Sequence, residues 1–473
     1  MKVLISGATG FIGRHLTQRL LRDGHEVTAW VRNRLRAEKT LGTEIQIIEG
    51  AHGYQLPAEK LEAFDAVINL AGESIVGGRW TGAKKKRILE SRVRTTEALV
   101  KAINDCKNPP KVFFSASATG FYGHGDAQSP FDENCISGDD FLAQVSEQWE
   151  SAAKKVNTGT RLVIGRISLV LGLEEGLLGK LTPLFDAGLG GVLGSGKQIM
   201  PWIHIADLVE IISHSLTDPR FEGPVNLATP NPVTHRTFCK DLAKTLGRPC
   251  LFGVPGLGIQ LALGEASEMI LKGSLIVPKK LEDISFVFAH PTLPGALEHI
   301  FKKKAPINFS KPELRGRERH VLTNQMVVNT SFEKVRPFFF FPKSLALLSP
   351  PSTKLDFLYG YEDAMRDGHE MAFRFKLGPF SQTWTAVIEE NQPEYFVDTQ
   401  THGPMSYWHH KHSFKEVPEG TELTDEVRFR MPLGPLGQMA FKLFAKESIR
   451  RLFLYRNHML EIRFGTPQEA SPS

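Results

Sequence analysis

The 473-residue sequence predicts two folded units of different class, an α/β unit with a doubly wound parallel sheet and, after it, an α+β unit with an antiparallel sheet. Two observations predict this order. Apolar runs alternate with helical patterns over residues 1–220, whereas strand-like segments follow one another directly after residue 320. Between the units, residues 302–319 are polar, basic and interrupted by prolines, which predicts a linker.

Six apolar runs mark the strands of the first unit: KVLISG, EVTAWVR, IQIIEG, DAVINLAG, KVFFSAS and RLVIGRI. They are apolar on both faces, which is typical of a parallel sheet covered by helices on its two sides. We assign residues 1–220 to this parallel-sheet domain. Residues 221–301 are rich in turn signals and end in helical patterns, so we assign them to a smaller substrate-side module.

Strand-like segments with turn residues between them define the second unit. They read HVLTNQMVV, EMAFRFKL, QTWTAVIEE, EYFVDTQTH, SYWHHKHSF and ELTDEVRFRM, an order that predicts an antiparallel sheet. A long helix is predicted over Gln438–Phe464, because its apolar residues recur on one face. We assign residues 320–465 to this domain and expect residues 466–473 to form a disordered tail.

Composition limits the expected partners. The net charge is only +5, from 57 basic and 52 acidic residues dispersed along the chain, so nucleic acid is not expected to bind. Four cysteines without CxxC spacing favour a reducing compartment. The first apolar run ends at once in a glycine loop, unlike a secretory signal, and no run suits a membrane span. We therefore expect a cytoplasmic protein that acts on a small molecule.

A glycine loop, Gly7-x-x-Gly10-x-x-Gly13, lies between the first strand and a helix. Gly7 permits the tight turn, Gly10 lets the backbone approach a pyrophosphate, and Gly13 lets helix and strand pack closely. The helix N-terminus favours the bound anion. This context predicts a Rossmann-type dinucleotide site. The expected loop contacts are Gly7, Thr9, Gly10, Phe11, Ile12 and Gly13.

The end of the second strand distinguishes the two nicotinamide dinucleotides. NAD sites commonly place an acidic residue there, on the ribose hydroxyls. This chain has Val31-Arg32-Asn33-Arg34 and no acid at that point. The sequence therefore predicts NADP(H) as the cofactor, with Arg32 as the partner of its extra phosphate. The alternative is an ordinary solvated arginine after a strand.

Several segments resemble the extended short-chain dehydrogenase/reductases, the nucleotide-sugar epimerase-like group: GATGFIG, NLAG, SASATGFYG and PWIHIADLV. Longer stretches, among them GGRWTGAKKKRILESRV, FLAQVSEQWE and LIVPKKL, resemble an atypical branch called the epimerase family proteins. This resemblance covers residues 1–301 and implies further cofactor contacts from Leu70, Ala71 and Gly72. A homodimer through the helices that carry Arg92 and Glu147 would resemble the family.

The segment 319–465 resembles a START-like helix-grip domain of the polyketide cyclase/dehydrase type, above all in LTDEVRFRMPLGPLG. Such domains wrap a curved sheet around a long helix and usually hold an apolar ligand between the two. The resemblance therefore implies a hydrophobic small-molecule ligand for the second unit.

Working members of the reductase group use a Tyr that moves a proton, a Lys four residues later that lowers its pKa, and a Ser that orients the substrate. Ser117 matches that serine by its place in SASA. Other residues fill the Tyr and Lys positions, namely Phe141 or Leu142 and Val145 or Ser146. Tyr122 is the candidate substitute acid, and the alternative for it is a packing or substrate-lining role. The helix itself is expected to be intact.

By the same resemblance, Arg166, Trp202 and His204 line the substrate cleft, which draws on residues 166–209. His204 and Asp207 have an alternative role, since both could cap and tie the loop before a helix. In the second unit, the run Trp408–His412 contains three histidines. On a strand His410 and His412 share one face, but no carboxylate is adjacent in the sequence, so a structural role and no metal are predicted.

Two classes of function are open at this point. The first is an NADP-dependent oxidoreductase or epimerase with a rearranged acid. The second is a non-catalytic NADP(H)-binding module, fused to a ligand-binding domain, that acts as a sensor or carrier of an apolar molecule. The missing Tyr and Lys favour the second class, whereas Ser117 and the cleft residues favour the first.

Overall fold

A computed structural model of the protein describes residues 1–42, 44–50, 56–125, 129–173, 175–301, 307–312, 317–377 and 380–467. The chain divides into two compact units. The first comprises Met1–Ala37 and Ile45–Phe301, and the second comprises Glu38–Glu44 and Lys302–Ser473. None of the described helices has both the length and the apolar character that a membrane span requires.

The first unit is built on a parallel sheet. The strands up to Phe301 are β1 (Lys2–Ser6), β2 (Glu26–Val31), β3 (Gln46–Glu49), β4 (Ala66–Asn69), β5 (Val112–Ala118), β6 (Arg161–Ile167), β7 (Leu169–Gly172), β8 (Glu175–Gly176), β9 (Gly191–Leu193), β10 (Ile199–Met200), β11 (Trp202–His204), β12 (Gly223–Leu227), β13 (Val233–Thr234) and β14 (Phe252–Val254). Seven of them pair in the order β12-β6-β5-β4-β1-β2-β3, and every pair is parallel. The predicted doubly wound fold class is confirmed.

Helices cover both faces of this sheet and fill the smaller module. They are α1 (Phe11–Arg22), α2 (Arg34–Leu41), α3 (Gly82–Asn104), α4 (Phe141–Ala153), α5 (Leu178–Asp186), α6 (Ile205–Ser215), α7 (His235–Leu246), α8 (Gly256–Leu263), α9 (Glu268–Leu271), α10 (Lys279–Asp283) and α11 (Leu293–Phe301). The core lies between the sheet and these helices, where Leu4, Val67 and Phe113 pack with Leu99 and Ile103 of α3. Burial of each such side chain stabilises the fold by about 1.5–3 kcal/mol relative to exposure.

The boundary of the parallel sheet differs from the predicted one. The edge strand β12 lies beyond residue 220, yet it pairs with β6 along its whole length. Its short run GPVNL buries Val225 and Leu227 completely. This run is shorter than the six apolar runs of the predicted sheet and follows a turn-rich stretch. Its pattern therefore predicted that it belonged to the neighbouring module.

The second unit is one antiparallel sheet with a long helix. Its strands are β15 (Ile307–Ser310), β16 (His320–Val328), β17 (Asp356–Tyr359), β18 (Glu370–Leu377), β19 (Phe380–Asn391), β20 (Tyr395–His402), β21 (Tyr407–Val417) and β22 (Gly420–Arg430), and its helices are α12 (Phe332–Val335), α13 (Ser344–Leu347), α14 (Gly434–Ala440) and α15 (Lys446–Phe464). The strand order is β15-β16-β22-β21-β20-β19-β18-β17. The predicted α+β helix-grip class is confirmed.

Two local features of the second unit differ from the prediction. Within the predicted linker, residues 302–306 and 313–316 lie outside the described residues, but Ile307–Ser310 form a strand that pairs with β16. Lysines and prolines on either side hid this short strand from the composition argument. The predicted single helix is interrupted by a π-helical turn, Phe441–Ala445, between α14 and α15. Residues 468–473 of the predicted tail lie outside the described residues.

Candidate functional site

The glycine loop packs directly on the backbone at the end of β4. Gly7 has φ +76°, a left-handed conformation that favours glycine. A Cβ at this position would lie 2.6 Å from the carbonyl carbon of Leu70 and 2.8 Å from the nitrogen of Ala71. The structure therefore brings Gly7, Leu70 and Ala71 together, as a dinucleotide site at this sheet edge requires.

Helix α1 begins at the loop and directs its N-terminus toward it. Gly10 is the N-cap residue, and its N–H donates to the Gly7 carbonyl oxygen at 3.0 Å. Among the described residues, no side chain caps α1, and its first turn carries no acidic residue. A Cβ on Gly13 would lie 2.7 Å from the Cα of Ala8, so only glycine allows this close approach of helix and loop. The N–H groups of the first turn are therefore suited to an anion.

Phe11 has a second role that the sequence did not reveal. A Cβ on Gly172 would lie 2.6 Å from the Phe11 ring, and the ring also lies against Gly176. It meets His15 edge to face with a centroid distance of 5.2 Å. The side chain of Phe11 thus packs α1 against β7 and β8, which leaves the backbone of Phe11 for the predicted contact with the cofactor. Thr9 and Ile12 are half-buried beside it.

Buried hydrogen bonds hold the Leu70–Gly72 segment. Asn69 is fully buried, and its side-chain oxygen accepts from the Ser6 hydroxyl at 2.6 Å and from the Ala71 N–H at 3.3 Å. Its amide nitrogen donates to the Thr96 hydroxyl at 2.8 Å. Asn69 therefore ties the ends of β1 and β4 to α3. The segment Leu70–Gly72, which the sequence predicts to contact the cofactor, is thus held in place by Asn69.

Arg92 lies beneath the same segment. Its guanidinium donates to the Glu73 carbonyl oxygen at 3.0 Å and stacks over Trp149 at 5.2 Å. Burial lowers the pKa of Arg92 to about 10, so the group remains charged at neutral pH. Arg92 contacts its own unit in this way, whereas Glu147 is exposed on α4. The predicted homodimer stays a prediction.

Arg32 and Arg34 follow β2 but differ in their surroundings. Arg34 donates to the Ile47 carbonyl oxygen at 2.6 Å, which fixes its side chain beside β3. Arg32 is exposed directly after β2. Since the adenosine ribose of a Rossmann site lies at the end of the second strand, the exposed guanidinium of Arg32 is the one suited to a 2′-phosphate.

Ser117 lies at the end of β5 and is turned toward a buried ion pair. Its hydroxyl donates to Glu150 Oε1 at 2.8 Å. The same carboxylate accepts two bonds from Arg166, from Nε to Oε1 at 2.8 Å and from Nη2 to Oε2 at 3.0 Å. All three side chains are at most 3% exposed. A carboxylate that accepts a bidentate guanidinium and a hydroxyl has its strongest acceptor directions filled.

Tyr122 belongs to the same network. Its hydroxyl accepts from Arg166 Nη1 at 2.7 Å and donates to Asn226 Oδ1 at 2.7 Å. Asn226 Nδ2 donates to the Val277 carbonyl oxygen at 2.9 Å, which fixes Oδ1 as the acceptor. Burial raises the pKa of Tyr122 to about 12, although the Arg166 charge opposes the shift. The phenol is therefore neutral at physiological pH, and its proton is committed to Asn226. We call the linked residues Ser117, Tyr122, Glu150, Arg166 and Asn226 the Glu150 network.

Helix α4 is intact where the Tyr and Lys are missing, as predicted. The Asp140 carboxylate caps it, accepting from the N–H groups of Leu142 at 2.8 Å and Ala143 at 3.0 Å. Val145, Ser146 and Trp149 are buried. The helix thus presents packing side chains at the positions where a catalytic member carries its acid–base pair, and Glu150 lies one turn further along the helix.

Trp202 and His204 lie in a different sheet, on β11, and make structural contacts. Trp202 is fully buried, and its indole N–H donates to the Asn231 carbonyl oxygen at 3.1 Å. His204 is the N-cap of α6, since its Nδ1 accepts from the Ala206 N–H at 3.0 Å. Its ring lies 4.0 Å from that of His290. Of the three predicted cleft residues, only Arg166 joins Ser117 and Tyr122.

Asp207 ties a distant loop to α6. Its carboxylate accepts from the Ala289 N–H at 2.7 Å and from the His290 N–H at 3.1 Å. Burial raises the pKa of Asp207 to about 6, and these two backbone donors act against that shift. The capping and tying roles that were the alternatives for His204 and Asp207 are the ones their contacts show.

Glu150 and Asn226 are the network residues to which the sequence assigned no role. A signal for Glu150 was present, because it follows Trp149 on the apolar face of α4, where an acid needs a buried cation. Arg166 interrupts the apolar run RLVIGRI in the matching way. Asn226 carried no local signal, since its partner Tyr122 is 104 residues away in the chain.

These features define a class, the dinucleotide-binding α/β proteins of the extended short-chain dehydrogenase/reductase type. A profile described as the NAD dependent epimerase/dehydratase family matches residues 3–228, and one described as domain of unknown function DUF1731 matches residues 254–300. The chain is 37% identical over 308 residues to the Epimerase family protein SDR39U1 homolog, chloroplastic, of Arabidopsis thaliana, spanning 64% of this chain and 87% of that protein. It is 35% identical over 309 residues to the Epimerase family protein YfhF of Bacillus subtilis, spanning 65% and 100%. The chain belongs to the epimerase family proteins.

Solved structures support the same assignment. The human epimerase family protein SDR39U1 (isoform 2), crystallised with NADPH, aligns with a TM-score of 0.57 and 33% identity, covering 64% of this chain and 100% of that chain. A nucleoside-diphosphate sugar epimerase from Corynebacterium glutamicum aligns with a TM-score of 0.52 and 30% identity, covering 63% and 58%. In the second unit, a profile described as polyketide cyclase/dehydrase and lipid transport matches residues 356–453.

Proposed function

We propose that this protein is an NADP(H)-binding module without the acid–base chemistry of a working reductase, joined to a domain that binds a hydrophobic small molecule, and that it serves as a sensor or carrier. The Glu150 network carries the proposal. Both hydroxyl groups that could serve as proton donor or substrate anchor, those of Ser117 and Tyr122, are buried and bonded to other side chains.

The residues of the first unit fit NADP(H). Gly7 and Gly13 leave no room for side chains at the loop, and α1 offers an uncapped N-terminus to the pyrophosphate. Arg32 is exposed where the 2′-phosphate would lie. The human relative was crystallised with NADPH, which supports the same cofactor here.

Bound NADPH would supply a hydride, and a carbonyl that receives it also needs a proton. General acid help is worth typically a hundred- to ten-thousandfold in rate. Tyr122 cannot readily give its proton, because its pKa is raised to about 12 and its hydrogen is held by Asn226. Ser117 donates instead to Glu150. Reduction of generic carbonyl compounds should therefore be very slow.

One observation favours the alternative, an oxidoreductase or epimerase. Ser117 lies at the end of β5, and Tyr122 ends the 3₁₀ turn that follows. For catalysis at least one of these hydroxyls would have to leave the Glu150 network. Loss of Tyr122 would leave Asn226 Oδ1 without its donor, and loss of Ser117 would take one of three donors from the Glu150 carboxylate. We estimate that cost at about 1–3 kcal/mol for each buried polar group.

Aromatic side chains on the second sheet support a hydrophobic ligand. Trp384 packs edge to face on Trp408 at 5.1 Å and stacks with Phe373 at 6.1 Å, while Trp408 contacts Phe429 at 5.8 Å. Phe373 and Phe375 are only half-buried on that face. Native mass spectrometry of the full chain is the test: a co-purifying apolar molecule supports the proposal, and repeated absence of one across expression hosts counts against the carrier role.

The catalytic half of the proposal is tested with the full chain and NADPH. Titration by NADPH fluorescence should show saturable binding, and NADPH oxidation against a panel of aldehydes, ketones and keto sugars should not exceed the rate without protein. Robust turnover that Tyr122→Phe abolishes would promote Tyr122 to the acid. Robust turnover that survives Tyr122→Phe would mean that the chemistry lies elsewhere in the unit. Either result would overturn the non-catalytic proposal.

A further inference from the structure

Five ionisable side chains meet between the second sheet and α15, and we name them the His410 cluster: Asp398, His410, His412, Asp425 and Arg456. Strand pairing places Asp398 of β20 opposite His410, and Asp425 of β22 opposite His412. The sequence predicts no metal at these histidines because no carboxylate is adjacent to them in the chain. The sheet supplies one carboxylate from each neighbouring strand, so that premise does not hold in the fold.

One side of the cluster has the donor set of a divalent metal site. Asp398 Oδ2 lies 3.0 Å from His412 Nε2 and 3.6 Å from His410 Nδ1. The ligand atoms of these three residues all lie within 4.8 Å of one another. Zinc bonds of about 2.0–2.1 Å at a tetrahedral angle put two ligand atoms roughly 3.3–3.4 Å apart. The two distances to Asp398 bracket that separation.

The other side of the cluster has the carboxylate that metal-bound histidines usually contact. His410 Nε2 lies 3.2 Å and His412 Nδ1 lies 2.9 Å from the same oxygen, Asp425 Oδ1. Each imidazole thus directs one nitrogen to Asp398 and its other nitrogen to Asp425. Metal-ligating histidines almost always donate their second N–H to a carboxylate or carbonyl group, which fixes tautomer and ring orientation. The two rings also pack on each other with a centroid distance of 3.7 Å, which keeps their nitrogens side by side.

Asp425 is itself held in place as an anion. Arg456 Nη2 lies 3.1 Å from Asp425 Oδ1, and Asn324 Nδ2 donates to Asp425 Oδ2 at 3.0 Å. Asn324 and Asn457 bond each other in turn, at 3.0 and 2.9 Å. The same Arg456 Nη2 also lies 3.1 Å from His412 Nδ1, so the guanidinium is placed against both Asp425 and His412. Asp398 lies against the other nitrogens of the two histidines, His410 Nδ1 and His412 Nε2. Its side chain is 13% exposed, which leaves a route from solvent.

Hydrogen counting shows which tautomers of the cluster would suit a metal. A neutral imidazole has one N–H donor and one lone pair. Without a metal, His412 Nδ1 can accept from Arg456 Nη2 at 3.1 Å while its Nε2–H donates to Asp398 at 3.0 Å. In the tautomers that a metal requires, both imidazoles donate to Asp425, their two remaining lone pairs face the Asp398 carboxylate, and a cation satisfies these three electron-rich atoms. Two carboxylates against one guanidinium also leave one negative charge for that cation to offset.

We propose that Asp398, His410 and His412 form a binding site for a divalent transition metal of the zinc class. Three protein ligands leave the fourth tetrahedral position to a water molecule or to an oxygen of a ligand in the same domain. Asp425 orients both histidines, and Arg456 and Asn324 hold Asp425. His409, the histidine between them, points to the opposite face, where it lies 3.8 Å from Glu389, and takes no part.

The test uses the full chain, stripped with a chelator and dialysed, and zinc alone as the probe. Isothermal titration and elemental analysis should show zinc bound to wild type, and the bound zinc should raise the melting temperature. Asp398→Asn keeps the shape of the side chain, and His412→Gln removes one ligand. Each should weaken this binding event at least a hundredfold. Asp425→Asn should weaken it by roughly ten- to a hundredfold, as expected for an orienting carboxylate.

His409→Gln is the matched control, on the same strand but the opposite face, and it should bind zinc as wild type does. The described residues of the first unit include another group of imidazoles, His204, His290 and His299, so the site is identified by the difference between variants and not by stoichiometry alone. Cobalt substitution gives a second readout: tetrahedral d–d bands that Asp398→Asn removes support the site. If wild type and Asp398→Asn bind zinc equally, or if neither binds it, the cluster is a structural proton-sharing network and the proposal is wrong.

Discussion

Replacement of Glu150 by glutamine tests whether the Glu150 network is structural. Glu150 is 1% exposed and accepts bonds from Ser117 and Arg166. Glutamine keeps the shape but removes the charge and one acceptor, so the Arg166 guanidinium is left buried without its counterion. Breaking a buried pair in this way costs about 3–5 kcal/mol.

A loss of stability of this size can be measured by calorimetry. At roughly 2 °C per kcal/mol for a unit of this size, the melting transition of the first unit should fall by about 6–10 °C in calorimetry of the full chain. Glu147→Gln is the matched control, because Glu147 is exposed on the same helix and should change the transition by less than about 1 °C. If Glu150→Gln lowers the transition no more than Glu147→Gln does, the network does not hold the sheet edge and the reasoning fails.

Three further predictions concern the cofactor loop and the buried phenol. Wild type should bind NADPH about tenfold or more tightly than NADH. Arg32→Glu should remove this preference, whereas the control Arg94→Glu, on the exposed side of α3, should keep it. Equal affinities of wild type for the two cofactors would refute the NADP assignment. Gly13→Ala should abolish cofactor binding, because its Cβ would meet the Ala8 backbone, whereas Gly258→Ala on α8, where nothing lies within 4 Å, should bind normally. Burial should raise the pKa of Tyr122 to about 12, against 10.0 for an ordinary phenol. The folded state then holds a proton that the unfolded chain releases, so the contribution of Tyr122 to stability falls as pH rises from 10 to 12. Ultraviolet titration of wild type against Tyr122→Phe measures this, and loss of a phenolate signal near pH 10 in the variant would contradict it.

Local patterns were sufficient to predict most of the fold. Buried parallel strands read as continuous apolar runs, and a helix with one buried face reads as an apolar stripe. Several short strands were not among the predicted runs. Two of them, β12 and β15, pair into the main sheets but lie next to turn or linker signals. The glycine loop was predictable in detail, since its glycines are required by contacts with backbone that lies a few residues away or at the next strand.

The candidate site was predicted less completely, because its chemistry depends on contacts between distant segments. Ser117 and Tyr122 were identified by position, but their partners Glu150 and Asn226 lie 33 and 104 residues further along the chain. The same limit applies to the second unit. His410 and His412 were seen to share a face, while Asp398 and Asp425 reach them only through strand pairing.

A crystal structure of the full chain with NADPH would distinguish a non-catalytic cofactor module from a working reductase. We expect the pyrophosphate at the N-terminus of α1 and the 2′-phosphate on Arg32. We also expect that Ser117 still donates to Glu150 and Tyr122 to Asn226, so that neither hydroxyl is available beside the nicotinamide. A structure in which either hydroxyl has left the Glu150 network and points at the nicotinamide would contradict the account and identify a working reductase site.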